Sequence, residues 1–129
     1  YMQNMGKFYG LKLIACADLR CEAAEAQAKA HGIEALSIEA LLARTDIDIV
    51  VNLTPPNAHF EIGLAALRAG KHVFGEKPIT VVANEAAELV NQANTQAVPR
   101  TRFWGLAGAR PARSSTAARS ARFCREPAF

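Results

Sequence analysis

The chain has 129 residues, half of them hydrophobic, and a formal net charge of +3. That length supports one domain with a core of its own, and no apolar run approaches the ~20 residues that cross a bilayer. The charge is uneven: residues 100–129 carry seven Arg, no Lys and one acid, Glu126, whereas residues 1–99 carry eight bases against eleven acids. The basic balance that invites a nucleic-acid reading therefore belongs to the tail, and the first 99 residues give it no support.

Tyr1-Met2-Gln3-Asn4 has no basic segment leading into an apolar stretch and does not read as a signal peptide. A start on Tyr suggests a chain cut from something longer. Cys16, Cys21 and Cys124 are odd in number and fit no zinc or redox spacing. Free thiols in a reducing cytoplasm are the plain reading.

Residues 1–9 read as the end of a helix stopped at Gly10. Residues 11–17 form a short apolar run ending at Asp18, the pattern of a strand buried on both faces in a parallel sheet. The Ala- and Glu-rich residues 21–31 predict a helix that Gly32 ends. Residues 33–36 suit a short strand, and Ser37 suits the N-cap of a helix over 38–44. Residues 47–53 are rich in β-branched side chains and predict a second main strand. Pro55-Pro56 stops it. Asn57 is placed to cap a helix over 58–69 that buries Ile62, Ala65, Ala66 and Leu67, with Gly70 as its end. Residues 72–75 predict a third strand, and Thr80 or Asn84 opens a last helix reaching about Ala93. From about Thr95 the periodicity stops. Ala, Arg, Ser and Pro dominate there, and such a composition buries too little apolar surface to offset chain entropy. The chain thus divides into a domain over 1–94 and a basic tail over 95–129 that is not a domain.

Strands alternating with helices through short loops predict an α/β fold with a parallel sheet. Ligands of such sheets bind at the carboxyl ends of the strands. Asp18, the loop Thr54-Pro55-Pro56-Asn57-Ala58-His59 and Glu76-Lys77 all fall at such ends. Each has a bland reading beside the functional one. Asp18 suits a turn or cap before helix 21–31, Asn57 a helix cap, His59 a first-turn helix residue, and Lys77 a surface lysine in a turn. No metal-ligating cluster stands out.

The stretch His72-Val73-Phe74-Gly75-Glu76-Lys77-Pro78 is the sharpest signal, preceded by Ala65-Ala66-Leu67-Arg68-Ala69-Gly70-Lys71 and by the strand and loop over 48–59. Together these resemble the cofactor domain of the Gfo/Idh/MocA family (glucose–fructose oxidoreductase / inositol dehydrogenase) over residues 1 to about 93. The resemblance implies a Rossmann-like parallel sheet that binds NAD or NADP, here without its first strand and Gly-rich loop and followed by an irregular tail. It implies cofactor contacts from Asp18, Arg20, Thr54, Pro55, Pro56, Asn57, His59, Glu76 and Lys77. Asp18 would take the adenosine ribose hydroxyls and Arg20 a 2′-phosphate, which leaves NAD and NADP both open. Lys77 would lie beside the nicotinamide and move a proton as hydride leaves the same carbon, helped by Pro78, whose preceding peptide suits the cis form. The parent so implied is a cytoplasmic, homo-oligomeric oxidoreductase of a sugar, polyol or related hydroxy or keto compound, with no nucleic-acid or membrane partner. This chain holds about a quarter of it and is expected to be inactive as it stands. A non-catalytic nucleotide-binding or subunit-contact module is the alternative. So is a nucleic-acid-binding protein that uses the Arg tail.

No G-x-G-x-x-G turn occurs anywhere in the chain. An open slot for an inner strand would leave a sheet edge prone to aggregation. Read from the third base of each codon, residues 96–108 are compatible with GCAPDTFLGAG, and residues 113–122 with KLDGGKIGE. Both strings look like the segment after Glu-Lys-Pro in the resembled family. Leu from Phe103-Trp104 and Gly from Trp104-Gly105 are forced by the code. A change of reading frame near residues 93–96 is the expectation.

Overall fold

The computed structural model describes residues 2–5 and 9–95, together with the backbone of residues 119–123. The elements run α1 (Met2–Met5), β1 (Lys12–Ala17), α2 (Cys21–His31), β2 (Glu34–Ala35), α3 (Ile38–Ala43), β3 (Ile49–Asn52), a 3-10 turn (Pro56–Ala58), α4 (His59–Arg68), β4 (His72–Gly75), α5 (Ala83–Thr95) and β5 (Arg119–Phe123). The strands make one sheet in the order β2-β1-β5-β3-β4, with every pairing parallel. In a doubly wound sheet of order 3-2-1-4-5-6 the place between the second and fourth strands belongs to the first. Here the last strand in sequence takes that place.

That strand is the one element the composition of the tail does not announce. Lys12 pairs with Arg119 and Ala17 with Phe123 on one side; Ile49 pairs with Ser120 and Asn52 with Phe123 on the other. The ladder to β1 shifts register between Leu13 and Cys16. The slot expected to stand open is therefore filled, and the sheet edges are β2 and β4.

Local chemistry explains most boundaries. Gly32 ends α2 at φ +63° and Gly70 follows α4 at φ +75°, both in the left-handed region that a side chain disfavours. Ser37 caps α3, its Oγ accepting from the Ala40 N–H at 3.1 Å. The same N-terminus holds the Glu39 carboxyl below its ordinary range, first through its own backbone N–H and then through the Ser37 hydroxyl. A depressed carboxylate contributes stability above its unfolded pKa and loses it as pH falls through the lower folded value. Ser37→Ala is expected to lose about 1 kcal/mol in urea unfolding at neutral pH. An unchanged midpoint would show that the cap contributes nothing.

Two expectations need correction. Asn57 does not cap α4: it sits exposed inside the 3-10 turn, and the residue at the N-cap is Ala58, without a side-chain hydrogen bond. The buried face of α4 is also rotated. His59, Gly63, Leu64, Ala66 and Leu67 are buried, while Ile62 and Ala65 are only half-buried. α5 lies across this face, and Leu89 reaches to within 3.6 Å of the position a Gly63 Cβ would take. The core comprises Ala15, Ala17, Leu41, Ile47, Val50, Leu64, Ala66, Leu67, Val73 and Leu89. Each large aliphatic among them contributes ~1.5–3 kcal/mol by leaving water.

The amino ends of the strands are tied by charge. Arg44 donates to both Asp46 oxygens and to Glu34, each at 2.8 Å. Asp46 first and Glu34 second make the guanidinium hold its proton more tightly than usual. The nearly buried Lys71 ammonium donates to the Arg44 carbonyl. No helix among the described residues is long and apolar enough to cross a membrane. Cys16 is buried and Cys21 exposed, neither in a disulfide; Cys124 lies outside the described residues.

Candidate functional site

Register brings the three loops named from the sequence to one edge. Ala17 and Asn52 are level with Phe123, and Asn52 is level with Gly75, so β1, β5, β3 and β4 end in a row. Parallel strands lie ~4.8 Å apart. Asp18 and Glu76 thus stand three strand spacings apart, roughly 14 Å, with the Thr54 loop between them.

Asp18 follows β1. Its side chain is 7% exposed, and Oδ1 accepts from the Arg20 N–H at 2.9 Å. This is a turn, not a cap: the N-cap of α2 is Arg20, with no side-chain hydrogen bond. Oδ2 is buried with no partner, alone in this among the described side chains. A carboxylate oxygen in that position lacks donors that its burial demands. Arg20 is 63% exposed, its Nε 3.8 Å from Oδ1, a spacing that fixes little.

The loop after β3 is organised by Asn52, which the sequence reading passed over. Asn52 is 2% exposed. Its Nδ2 donates to the His59 carbonyl at 3.1 Å, while Oδ1 accepts from Thr54 Oγ1 at 2.6 Å and the Thr54 N–H at 3.2 Å. A polar residue closing the run Ile-Val-Val was the only signal for it. Thr54 and Pro55 are half-buried; Pro56 and Asn57 are exposed. His59 is 4% exposed, and both of its ring nitrogens lie within hydrogen-bond distance of backbone carbonyls.

After β4, Glu76 is half-buried and Lys77 exposed; the Lys77 N–H points to Glu76 Oε2 at 3.4 Å. The Lys77–Pro78 peptide is cis, as the sequence suggested. A cavity of about 10 Å³ lies under this loop, lined in part by Asn52, His59, Gly75 and Glu76. A larger concavity of about 400 Å³ lies along α5 beside Asn84, Glu88 and Asn91. Its lining brings no acid–base pair together, so the row of loops is the better candidate site.

An α/β sheet with an acid after one strand, one of its oxygens partnerless, and Glu-Lys-Pro after another is the architecture of a dinucleotide-binding domain. The chain belongs to the oxidoreductase family with an NAD-binding Rossmann fold, GFO_IDH_MocA, whose model matches residues 1–102. It is 47% identical over 68 residues to inositol 2-dehydrogenase of Rhizobium meliloti, covering 53% of this chain and 21% of that protein. It is 36% identical over 100 residues to an uncharacterized oxidoreductase of Schizosaccharomyces pombe, covering 72% and 27%. Among solved structures, a 3-ketoreductase from Actinomadura kijaniata in complex with NADP and TDP-benzene superposes with a TM-score of 0.70 at 32% identity, covering 74% of this chain and 30% of that one. The chain thus spans less than a third of the length of these relatives.

Proposed function

We propose that the chain is the cofactor-binding part of an NAD(P)-dependent oxidoreductase acting on a sugar, a polyol or a related hydroxy or keto compound. The observation that carries this is the buried, partnerless Oδ2 of Asp18. A carboxylate oxygen held out of water needs donors, and the paired hydroxyls of a ribose supply them at the carboxyl end of a strand. The fit is partial, since no Gly-rich turn is present for the diphosphate. Asp18 would hold the adenosine ribose. Arg20, exposed and loosely paired, is free to turn toward a 2′-phosphate. Thr54, Pro55, Pro56 and Asn57 would line the middle, and Glu76 and Lys77 the nicotinamide end.

The cofactor, when bound, accepts or returns hydride at its nicotinamide. Lys77 would hydrogen-bond the substrate oxygen, its amine accepting the hydroxyl proton as the carbon is oxidised and its ammonium returning that proton as the carbon is reduced. Inositol 2-dehydrogenase and the 3-ketoreductase, named for a polyol and a keto group, support that substrate class. Turnover needs more than these residues, and the 129-residue chain alone is expected to bind without catalysing. A change of frame near residues 93–96 remains part of this proposal, and resequencing the gene with its flanks tests it.

Titration of the 15N-labelled chain with NAD and NADP tests the site. Amides of residues 18–20, 54, 57–59 and 76–77 are expected to shift, and Asp18→Ala to weaken binding about tenfold, the worth of a hydrogen bond to a charged group. No shift in any of the three loops at millimolar cofactor would defeat the proposal. Reduction of nicotinamide with a polyol such as myo-inositol would defeat the expectation of inactivity alone.

A further inference from the structure

The imidazole of His59 faces two acceptors. Nδ1 lies 2.6 Å from the carbonyl oxygen of Pro78, and Nε2 lies 2.7 Å from the carbonyl oxygen of Thr54. Neither carbonyl has a proton to give. A neutral imidazole carries one N–H, so it could satisfy one of them and would turn a lone pair on the other. Whichever nitrogen carries the proton, the ring lies between the two carbonyls and within hydrogen-bond reach of both. Side-chain rotation offers no escape, because the ring is 4% exposed and its own carbonyl is held by Asn52 Nδ2.

We propose that His59 is a clamp joining the Thr54 loop to the Glu76-Lys77-Pro78 loop. One contact holds the Thr54 carbonyl near the start of the loop after β3; the other holds the carbonyl of Pro78, the residue after Lys77. The clamp fixes the separation of the two loops and so the place from which the exposed Lys77 works. His59 is thus a positioning residue: both nitrogens of its ring are engaged by the protein. The use made of the clamp rests on the reading of Lys77 given above; the clamp itself does not.

The test is spectroscopic and uses the chain as it is. In protein labelled with 15N-histidine and 13C-carbonyl, a ring N–H of His59 is expected to show a coupling across its hydrogen bond to the Pro78 or the Thr54 carbonyl carbon. His31 and His72 serve as controls in the same sample. A ring that shows no coupling to either carbonyl would overturn the clamp. As a second arm, His59→Phe should speed amide exchange at Lys77, Ile79 and Thr80 about tenfold, with the β4 amides unchanged. His59→Gln, which can donate to one carbonyl, should fall between the two. Unchanged exchange in the Phe variant would also overturn the proposal, and if that variant fails to fold the wild-type spectrum decides. Neither arm involves cofactor or turnover, so a failed clamp leaves the oxidoreductase reading standing, and a failed cofactor titration leaves the clamp standing.

Discussion

Ala121→Pro is expected to destroy the cooperative fold. Ala121 pairs with Val50 in β5, which is bonded to β1 on one side and β3 on the other. Proline lacks the N–H that a ladder needs, and its ring crowds the neighbouring strand. Sheets accommodate it at edges and bulges, and β5 is central. The loss should reach about 3 kcal/mol or more, a large share of the ~5–15 kcal/mol typical of a domain. Urea unfolding followed by circular dichroism would show an early or absent transition. Deleting residues 119–129 should do the same and should also raise light scattering, because β1 and β3 would each present an unpaired edge. A proline variant that unfolds like the parent would show that residues 119–123 do not occupy the sheet in solution.

Asn52→Leu should come next in size. The side chain is 2% exposed and makes three hydrogen bonds, to Thr54 Oγ1, the Thr54 N–H and the His59 carbonyl. Leucine matches its bulk but answers none of them. Orphaning buried partners costs about 1–3 kcal/mol each. Thr54 can recover part of that by turning to water, so a net loss of about 3 kcal/mol is expected. The same variant should broaden the amide signals of residues 53–59 while leaving α2 untouched. A variant as stable as the parent would mean that the loop after β3 is held by its prolines, without help from Asn52.

The comparison of sequence and structure divides along the range of the forces involved. α2 runs over the residues that composition assigned to it and ends at Gly32. Ser37 caps α3, and β4 covers residues 72–75. These depend on propensity, on a cap three residues away, or on a glycine at the end. The alternation of strands and helices then led to a parallel sheet and to three loops on one edge. What escaped depended on distant partners. Asn57 reads as a cap, but Pro55 and Pro56 draw the chain into a 3-10 turn first and pass the N-cap to Ala58. His59 reads as an ordinary first-turn residue because the carbonyl of Pro78, nineteen residues on, is invisible to any local pattern. Asn52 looks like the end of a strand, and only the folded loop shows three partners converging on it. β5 is the extreme case. Arg-Ser-Ala-Arg-Phe has no β-branched residue and no apolar alternation. Its place is set by two backbone edges that lie far away in sequence.

The position of β5 also governs the order of events during synthesis. Lys12 finds its partner in Arg119, and Ile49 finds its own in Ser120. A ribosome therefore finishes β1, β3 and β4 well before it makes the strand that unites them. Until then the nascent chain holds two separate pieces, β1 with β2 and β3 with β4, each with a bare flank. Closure comes late, and it requires residues 119–123 to insert between partners already formed. Contacts so distant are slow to form, because the loop entropy is lost before any pairing rewards it. Such a chain should dwell in an open state in which a holdase chaperone or a second nascent chain competes for the flanks.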